Sequence, residues 1–68
     1  MAIKDWIKVV DNKFETQWDK KYDSVRIVGY NGVWDVYAFK DSETISLGEK
    51  VKTKYKALSF AKSYMKKN

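Results

Sequence analysis

The dipeptide Asn31-Gly32 constrains this chain more than any other feature of its sequence. Both residue types tolerate a positive φ, and a two-residue loop built from them joins two antiparallel strands. On either side lie runs rich in β-branched and aromatic residues, at positions 25–30 and 33–39. The sequence therefore predicts a β-hairpin at its centre, to which the remaining segments must be fitted.

Two more strands are predicted, one on each side of this hairpin. Apolar and polar residues alternate over positions 14–18, which is typical of a strand with one buried face. Beyond a turn at 40–42, positions 43–47 form another short strand that Gly48 closes. The result is a four-stranded antiparallel meander.

The last segment predicts an amphipathic helix. Thr53 is a suitable N-cap, and positions 54–67 contain neither glycine nor proline. On a helical wheel one arc is apolar, and it comprises Ala57, Leu58, Phe60, Ala61, Tyr64 and Met65. Because a helix and a sheet with one apolar face each can bury those faces together, we expect an α+β fold with this helix packed on one sheet face.

Alternation also assigns the two faces of the sheet. The expected core face comprises Phe14, Trp18, Val25, Ile27, Trp34, Val36, Ala38, Ile45 and Leu47. The expected outer face comprises Arg26, Val28, Tyr30, Val33, Asp35, Tyr37, Phe39, Thr44 and Ser46. The outer face is rich in aromatic residues, which suggests that something covers it.

The amino-terminal segment has two interpretations. Ile3, Trp6, Ile7 and Val10 have the spacing of one helix face, which predicts a short helix. The alternative is a strand, because three residues of the segment are β-branched. The apolar stripe would either cover the outer sheet face or pack elsewhere and leave that face open.

Composition limits the class of protein. The 68 residues form one domain over positions 1–68, and they include no cysteine for a disulfide and no histidine for an ordinary zinc site. No catalytic motif is present, so we expect no enzyme, no catalytic residue, no metal and no cofactor. No apolar run is long enough to span a membrane and no signal-peptide pattern opens the chain, so we expect a cytoplasmic monomer or homodimer.

Positive charge is concentrated at the carboxyl end. Residues 1–48 carry seven basic and eight acidic side chains, whereas residues 49–68 carry seven lysines and one glutamate. Four of these lysines surround the start of the helix, and they are Lys50, Lys52, Lys54 and Lys56. Lysines beside unpaired helix amides suit phosphate binding, although lysines on an exposed sheet edge can also serve to prevent aggregation.

These observations predict a protein that binds nucleic acid, DNA or RNA, with low sequence preference. The lysine cluster would contact phosphates, Lys62 and Arg26 would add outlying contacts, and three outer-face aromatic residues would stack on bases. Those three are Tyr30, Tyr37 and Phe39. The alternative is a small protein-interaction module that docks a partner on its aromatic sheet face or on an edge strand.

The carboxyl-terminal half resembles several known domains. The pattern Trp34-x-Val36, then Gly48, then Thr53-Lys54-x-x-Ala57 with Phe60-Ala61 is similar to the end of the double-stranded RNA-binding domain and to the arm-type DNA-binding domain of tyrosine recombinases. It resembles most a set of small uncharacterised prokaryotic domains that end in a strand and a helix. The first two resemblances imply nucleic-acid binding, and in the RNA-binding family Lys54 is the lysine that matches directly; the third implies a fold only.

Overall fold

An antiparallel sheet and one carboxyl-terminal helix make up the fold. The computed structural model describes residues 5–67. Its elements are β1 (Ile7–Asp11), β2 (Glu15–Lys20), β3 (Asp23–Tyr30), β4 (Val33–Lys40), β5 (Glu43–Val51) and α1 (Lys54–Lys67). The strands form a five-stranded meander in the order β1-β2-β3-β4-β5. The α+β class is confirmed, and the prediction of four strands is wrong by one.

The fifth strand is the amino-terminal segment, so of the two interpretations of this segment the strand is confirmed and the short helix is wrong. β1 pairs with β2 and carries a bulge between Lys8 and Val10. Its β-branched residues favour the extended backbone over a helix of fewer than three turns. Ile7 is 67% exposed, so this side chain does not seal the outer sheet face. Ile3, which belonged to the predicted stripe, lies outside the described residues.

Trp6 lies just before β1 and joins the helix side of the sheet. It is buried, and its ring meets that of Tyr64 edge to face, with the centroids 6.4 Å apart. Lys20 Nζ lies 5.0 Å from the centroid of the Trp6 ring. The amino-terminal segment therefore extends the core beside α1, and the outer sheet face has no second layer among residues 5–67.

Two hairpin loops have positive φ at both of their central residues. Asn31 and Gly32 have φ of 48° and 79°, which confirms the predicted loop between β3 and β4. Asp41 and Ser42, between β4 and β5, have φ of 48° and 70°. Positive φ at both positions is the signature of a type I′ turn, whose twist matches that of the flanking strands.

The core is the layer between α1 and strands β3, β4 and β5. Its buried apolar residues are Trp6, Trp18, Val25, Ile27, Val36, Ala38, Val51, Ala57, Ala61 and Met65, with Trp34, Leu47, Leu58 and Tyr64 packed partly buried against them. Ala57 and Ala61 are fully buried on the helix, as is Ala38 on the sheet. Such small side chains allow the helix to approach the sheet closely.

The core face was predicted correctly in β3 and β4 and at Ile45, which pairs with Ala38, and wrongly at Phe14. Ile45, near the start of β5, is 37% exposed. Phe14 is 59% exposed, because it lies in the β1–β2 loop rather than in a strand. Asn12 Oδ1 accepts hydrogen bonds from the backbone N–H groups of Phe14 and Glu15, at 3.0 and 2.9 Å, and shapes this loop. Thr16 is the buried residue at this end of β2.

Gly29 is required by its neighbour across the hairpin. It pairs with Trp34, and a Cβ atom at Gly29 would lie 2.4 Å from Cζ3 of the Trp34 ring. Atoms at that separation overlap, so the indole ring occupies the space that a side chain at position 29 would need. The missing Cβ thus allows Trp34 to lie against β3 and below the start of α1.

We predict that Gly29→Ala destabilises the fold. The added methyl group must displace the Trp34 ring, which should lower the free energy of unfolding by about 1–3 kcal/mol. Urea unfolding followed by tryptophan fluorescence measures this change. In a Trp34→Leu background the same substitution should cost much less, since the smaller side chain can move away. An equal loss in both backgrounds would show that the ring contact is not the cause.

Ser42→Gly should stabilise the protein. A left-handed backbone costs a residue with a Cβ atom more than it costs glycine, and the expected gain in unfolding free energy is about 0.5–1 kcal/mol. The matched control is Ser63→Gly inside α1, which should lower stability instead. Thermal unfolding of the two variants compares them directly, and a melting temperature lowered by Ser42→Gly contradicts the turn geometry.

Candidate functional site

The lysine cluster lies at the free edge of the sheet, where β5 ends and α1 begins. A groove of about 440 Å³ runs along this edge, and it is lined by Gly48, Glu49, Lys50, Val51, Lys52, Thr53, Lys56 and Phe60. β5 is the last strand in the sheet order, so this edge pairs with no other strand among residues 5–67. Three of the four predicted lysines therefore share one groove.

An irregularity in the pairing of β5 with β4 places Lys50 in the groove. Trp34 pairs with Val51 and Val36 pairs with Gly48, so Asp35 alone lies opposite the two residues Glu49 and Lys50. Lys50 has a φ of 50°, a conformation that a residue with a side chain adopts only when its surroundings hold it there. The stabilising contact is a hydrogen bond of 2.9 Å from the Lys50 backbone N–H to Asp35 Oδ1.

The start of α1 contributes the other wall of the groove. Thr53 Oγ1 accepts a hydrogen bond from the backbone N–H of Lys56 at 3.1 Å, which confirms Thr53 as the N-cap. The first helical turn contains no acidic residue. The groove holds three lysines and one carboxylate, that of Glu49, so it is positively charged.

Lys54 is directed away from the groove. Its Nζ lies 5.6 Å from the centroid of the Trp34 ring and donates a hydrogen bond of 3.4 Å to the carbonyl oxygen of Asn12. These contacts connect the start of α1 to the β1–β2 loop and cover the Trp34 ring. Lys54 is thus occupied within the fold, and the structure does not bring it together with the other three lysines.

Lys62 is also separate from the groove. It lines a shallow depression along the exposed surface of α1, together with Tyr55, Leu58, Ser59, Ser63 and Lys66. All five lysines of α1 lie on a helix that contains no acidic residue. Lys62 therefore extends the positive surface of the helix without contributing to the groove.

The remaining four predicted site residues lie on the other face of the sheet. Arg26, Tyr37 and Phe39 share that face with Tyr30, as the strand pairing shows. Arg26 forms an ion pair with Glu15 of β2, without the alignment of a hydrogen bond. The predicted set is thus divided between two surfaces on opposite sides of the sheet.

Asp35 organises the outer face. It is 7% exposed, and its Oδ2 accepts hydrogen bonds from the hydroxyl groups of Tyr30 and Tyr37, at 2.8 and 3.0 Å. The hydrogen bond from the Lys50 amide, followed by that from Tyr30, lowers the pKa of the Asp35 carboxyl. The hydrogen bond to Asp35 raises the pKa of Tyr30 and likewise that of Tyr37, since ionising either hydroxyl removes the donated proton.

The charge on the outer face is negative. In β2, β3 and β4 this face carries the carboxylates of Glu15, Asp19 and Asp35 against the single guanidinium of Arg26. Asp19 Oδ1 accepts hydrogen bonds from Gln17 Nε2 and Ser24 Oγ. The polar groups of this face are largely satisfied by one another, and the two sides of the molecule differ in the sign of their charge.

Sequence reasoning missed two residues of this region. Phe60 lies at one end of the apolar arc of α1. A side chain at the edge of such an arc can remain partly exposed when the sheet covers the centre of the arc. It lines the groove and is 38% exposed. Asp35 was assigned to the outer face correctly, but no sequence signal showed that it would be buried and would bind the Lys50 amide.

Comparisons with family models, with curated proteins and with solved structures gave no significant match. The resemblances drawn from the Trp34 to Ala61 pattern therefore stay predictions. Within residues 5–67, no group of three or more acidic, histidine or cysteine side chains is placed to hold a metal ion. The helix within this range is too short and too polar to cross a membrane.

We predict that Asp35→Asn changes the titration of the tyrosines. The variant removes the charged acceptor, so the pKa values of Tyr30 and Tyr37 should fall, and tyrosinate absorbance should appear at lower pH than in the original protein. Asp19→Asn is the matched control, because Asp19 accepts bonds from Gln17 and Ser24 and should leave the tyrosine titration unchanged.

Stability should follow pH in two windows. Ionised Asp35 contributes to the free energy of unfolding above the ordinary carboxyl pKa of about 4. This contribution is lost as the pH falls through the lowered pKa of Asp35 in the folded protein. The tyrosine contribution is present below about pH 10 and is lost as the pH rises through the raised native values. Unfolding across pH should show both losses in the original protein, whereas in Asp35→Asn the loss at low pH due to residue 35 should disappear and the loss at high pH should become smaller. Identical profiles for the two proteins would contradict the network.

Proposed function

We propose that this protein binds nucleic acid without strong sequence preference through the groove between β5 and α1. The observation that supports this most is the shared position of Lys50, Lys52 and Lys56 in one groove with a single opposing carboxylate. Lysine ammonium groups neutralise phosphates as point charges and carry no information about base identity. The groove thus has the chemistry of a backbone-binding surface.

The lysine-rich helix surface extends the area available to a polyanion. Lys62 and Lys66 lie on the exposed side of α1, and Lys66 and Lys67 occupy its last turn. Lysines in the last turn also stabilise the helix through its dipole, so they add to the field without defining the site. The groove lysines are different, because the helix dipole disfavours cations near the helix start.

The outer sheet face lies outside this binding surface. Tyr30 and Tyr37 donate their hydroxyl protons to Asp35, and the charged groups of that face sum to a negative charge. A phosphate backbone would be repelled there. For this reason the aromatic residues of that face, and Arg26 in its ion pair with Glu15, are not included in the binding surface.

The salt dependence of binding tests this proposal. Replacing Lys52 and Lys56 by glutamine should weaken binding, because fewer phosphates are neutralised. The plot of log K against log salt should become shallower by about 0.9 for each phosphate that is no longer neutralised on duplex DNA, or about 0.7 on a single strand. Fluorescence anisotropy titrations between about 50 and 200 mM salt measure both effects.

The matched control is the double change Lys21→Gln and Lys40→Gln, which removes the same charge from exposed positions away from the groove. It should leave the slope nearly unchanged. Equal losses of affinity in the two double variants would show that total charge, rather than the groove, determines binding. No binding of the original protein to any nucleic acid near 50 mM salt would refute the proposal.

The second candidate function is protein interaction, and the exposed edge of β1 favours it. Ile7 and Val9 are exposed on this strand, which is the first in the sheet order and pairs on one side only among residues 5–67. Such an edge can accept a further strand from a partner. Val9→Lys should abolish docking of that kind and leave nucleic-acid binding intact, so the two functions can be tested separately.

A further inference from the structure

Phe60 is placed in the lysine groove by a contact with β5. A Cβ atom at Gly48 would lie 3.0 Å from Cδ2 of Phe60, so the absence of a side chain at Gly48 lets the ring lie close to the strand backbone. Part of the ring stays uncovered, with 38% of the residue exposed. The exposed part faces a groove that is also lined by Lys50, Lys52 and Lys56.

A ring and three ammonium groups in one groove can recognise two parts of a nucleotide. Lysines bind phosphate oxygens, and an aromatic ring provides a surface for a base. In a duplex the bases are stacked and paired, so their faces cannot reach a ring set between a strand and a helix. In a single strand the bases can turn outward and stack on such a ring.

We propose that the groove binds single-stranded nucleic acid in preference to duplex, with one unpaired base stacked on Phe60 and the adjoining phosphates on Lys50, Lys52 and Lys56. This inference depends on the proposed function and specifies its ligand. It assigns the stacking role to Phe60 of α1, in place of the outer-face aromatic residues. Those residues lie on the negative side of the sheet, where the phosphates next to a stacked base would be repelled.

The experiment compares one oligonucleotide of about 12 nucleotides, as a single strand and as a duplex, at equal salt. The original protein should bind the single strand more tightly. Phe60→Leu keeps an apolar side chain but removes the ring, and it should weaken single-strand binding by about fivefold or more with little effect on the duplex. Phe60→Tyr retains the ring and should retain the affinity.

Phe14→Leu is the matched control. Phe14 is also an exposed phenylalanine, it lies outside the groove, and its replacement should change neither affinity. The lysine variant Lys52→Gln/Lys56→Gln should weaken binding to both forms. Circular dichroism of each variant confirms that it folds.

Crosslinking supplies a test that needs no variant. A single strand that contains a photoreactive halogenated pyrimidine, irradiated with the original protein, should form an adduct at Phe60, which mass spectrometry of the peptides locates. An adduct confined to other residues would overturn the assignment even if Phe60→Leu does not fold.

The outcomes separate this inference from the function on which it depends. Equal or tighter binding of the duplex overturns the single-strand assignment and leaves nucleic-acid binding intact. The same conclusion follows if Phe60→Leu keeps its single-strand affinity while the lysine variant binds more weakly. If the original protein binds neither the single strand nor the duplex, both the proposed function and the single-strand assignment are refuted.

Discussion

The close approach of α1 to the sheet is the packing contact on which the rest of this structure depends. A chain of 68 residues that contains no cysteine and no histidine must obtain much of its stability from one small core. Ala57 and Ala61 on the helix, and Ala38 on the sheet, are fully buried at this contact. Larger side chains at these positions would hold the two layers apart, and the apolar residues between them would no longer touch one another. The helix thereby buries one face of the sheet, and no element among residues 5–67 covers the other face.

This one-sided arrangement explains why the two surfaces of the molecule differ in chemistry. The uncovered sheet face carries carboxylates that accept hydrogen bonds from neighbouring hydroxyl and amide groups or pair with a guanidinium, with Asp35 at its centre. The helix presents lysines and no acidic residue. The two faces are linked at β5, because the outer-face carboxylate of Asp35 accepts the amide of Lys50, a residue of the groove. A single buried acid therefore helps to shape both surfaces.

Much of the fold followed from the sequence, because its signals were local. The Asn31-Gly32 loop depends on the φ angles of two residues, and the Thr53 cap depends on a hydroxyl three residues before an amide. The alternation in β3 and β4 assigned their buried apolar residues correctly for the same reason. For the amino-terminal strand the sequence left helix and strand open, since its pairing with β2 is not a property of the segment alone. Phe14 was misassigned because the side chain of Asn12 shapes a loop where alternation suggested a strand.

The candidate site was less accessible from sequence. The sequence by itself determined that lysines would surround the start of a capped helix at the end of a strand, since neighbours along the chain must stay neighbours in space. Only the tertiary structure decided that Lys54 would turn to Trp34 and Asn12, that Phe60 would remain partly uncovered beside Gly48, and that Tyr30 and Tyr37 would bind Asp35 on the opposite side. Each of these outcomes depends on contacts between segments that are distant in the sequence, and local residue preferences do not specify those contacts.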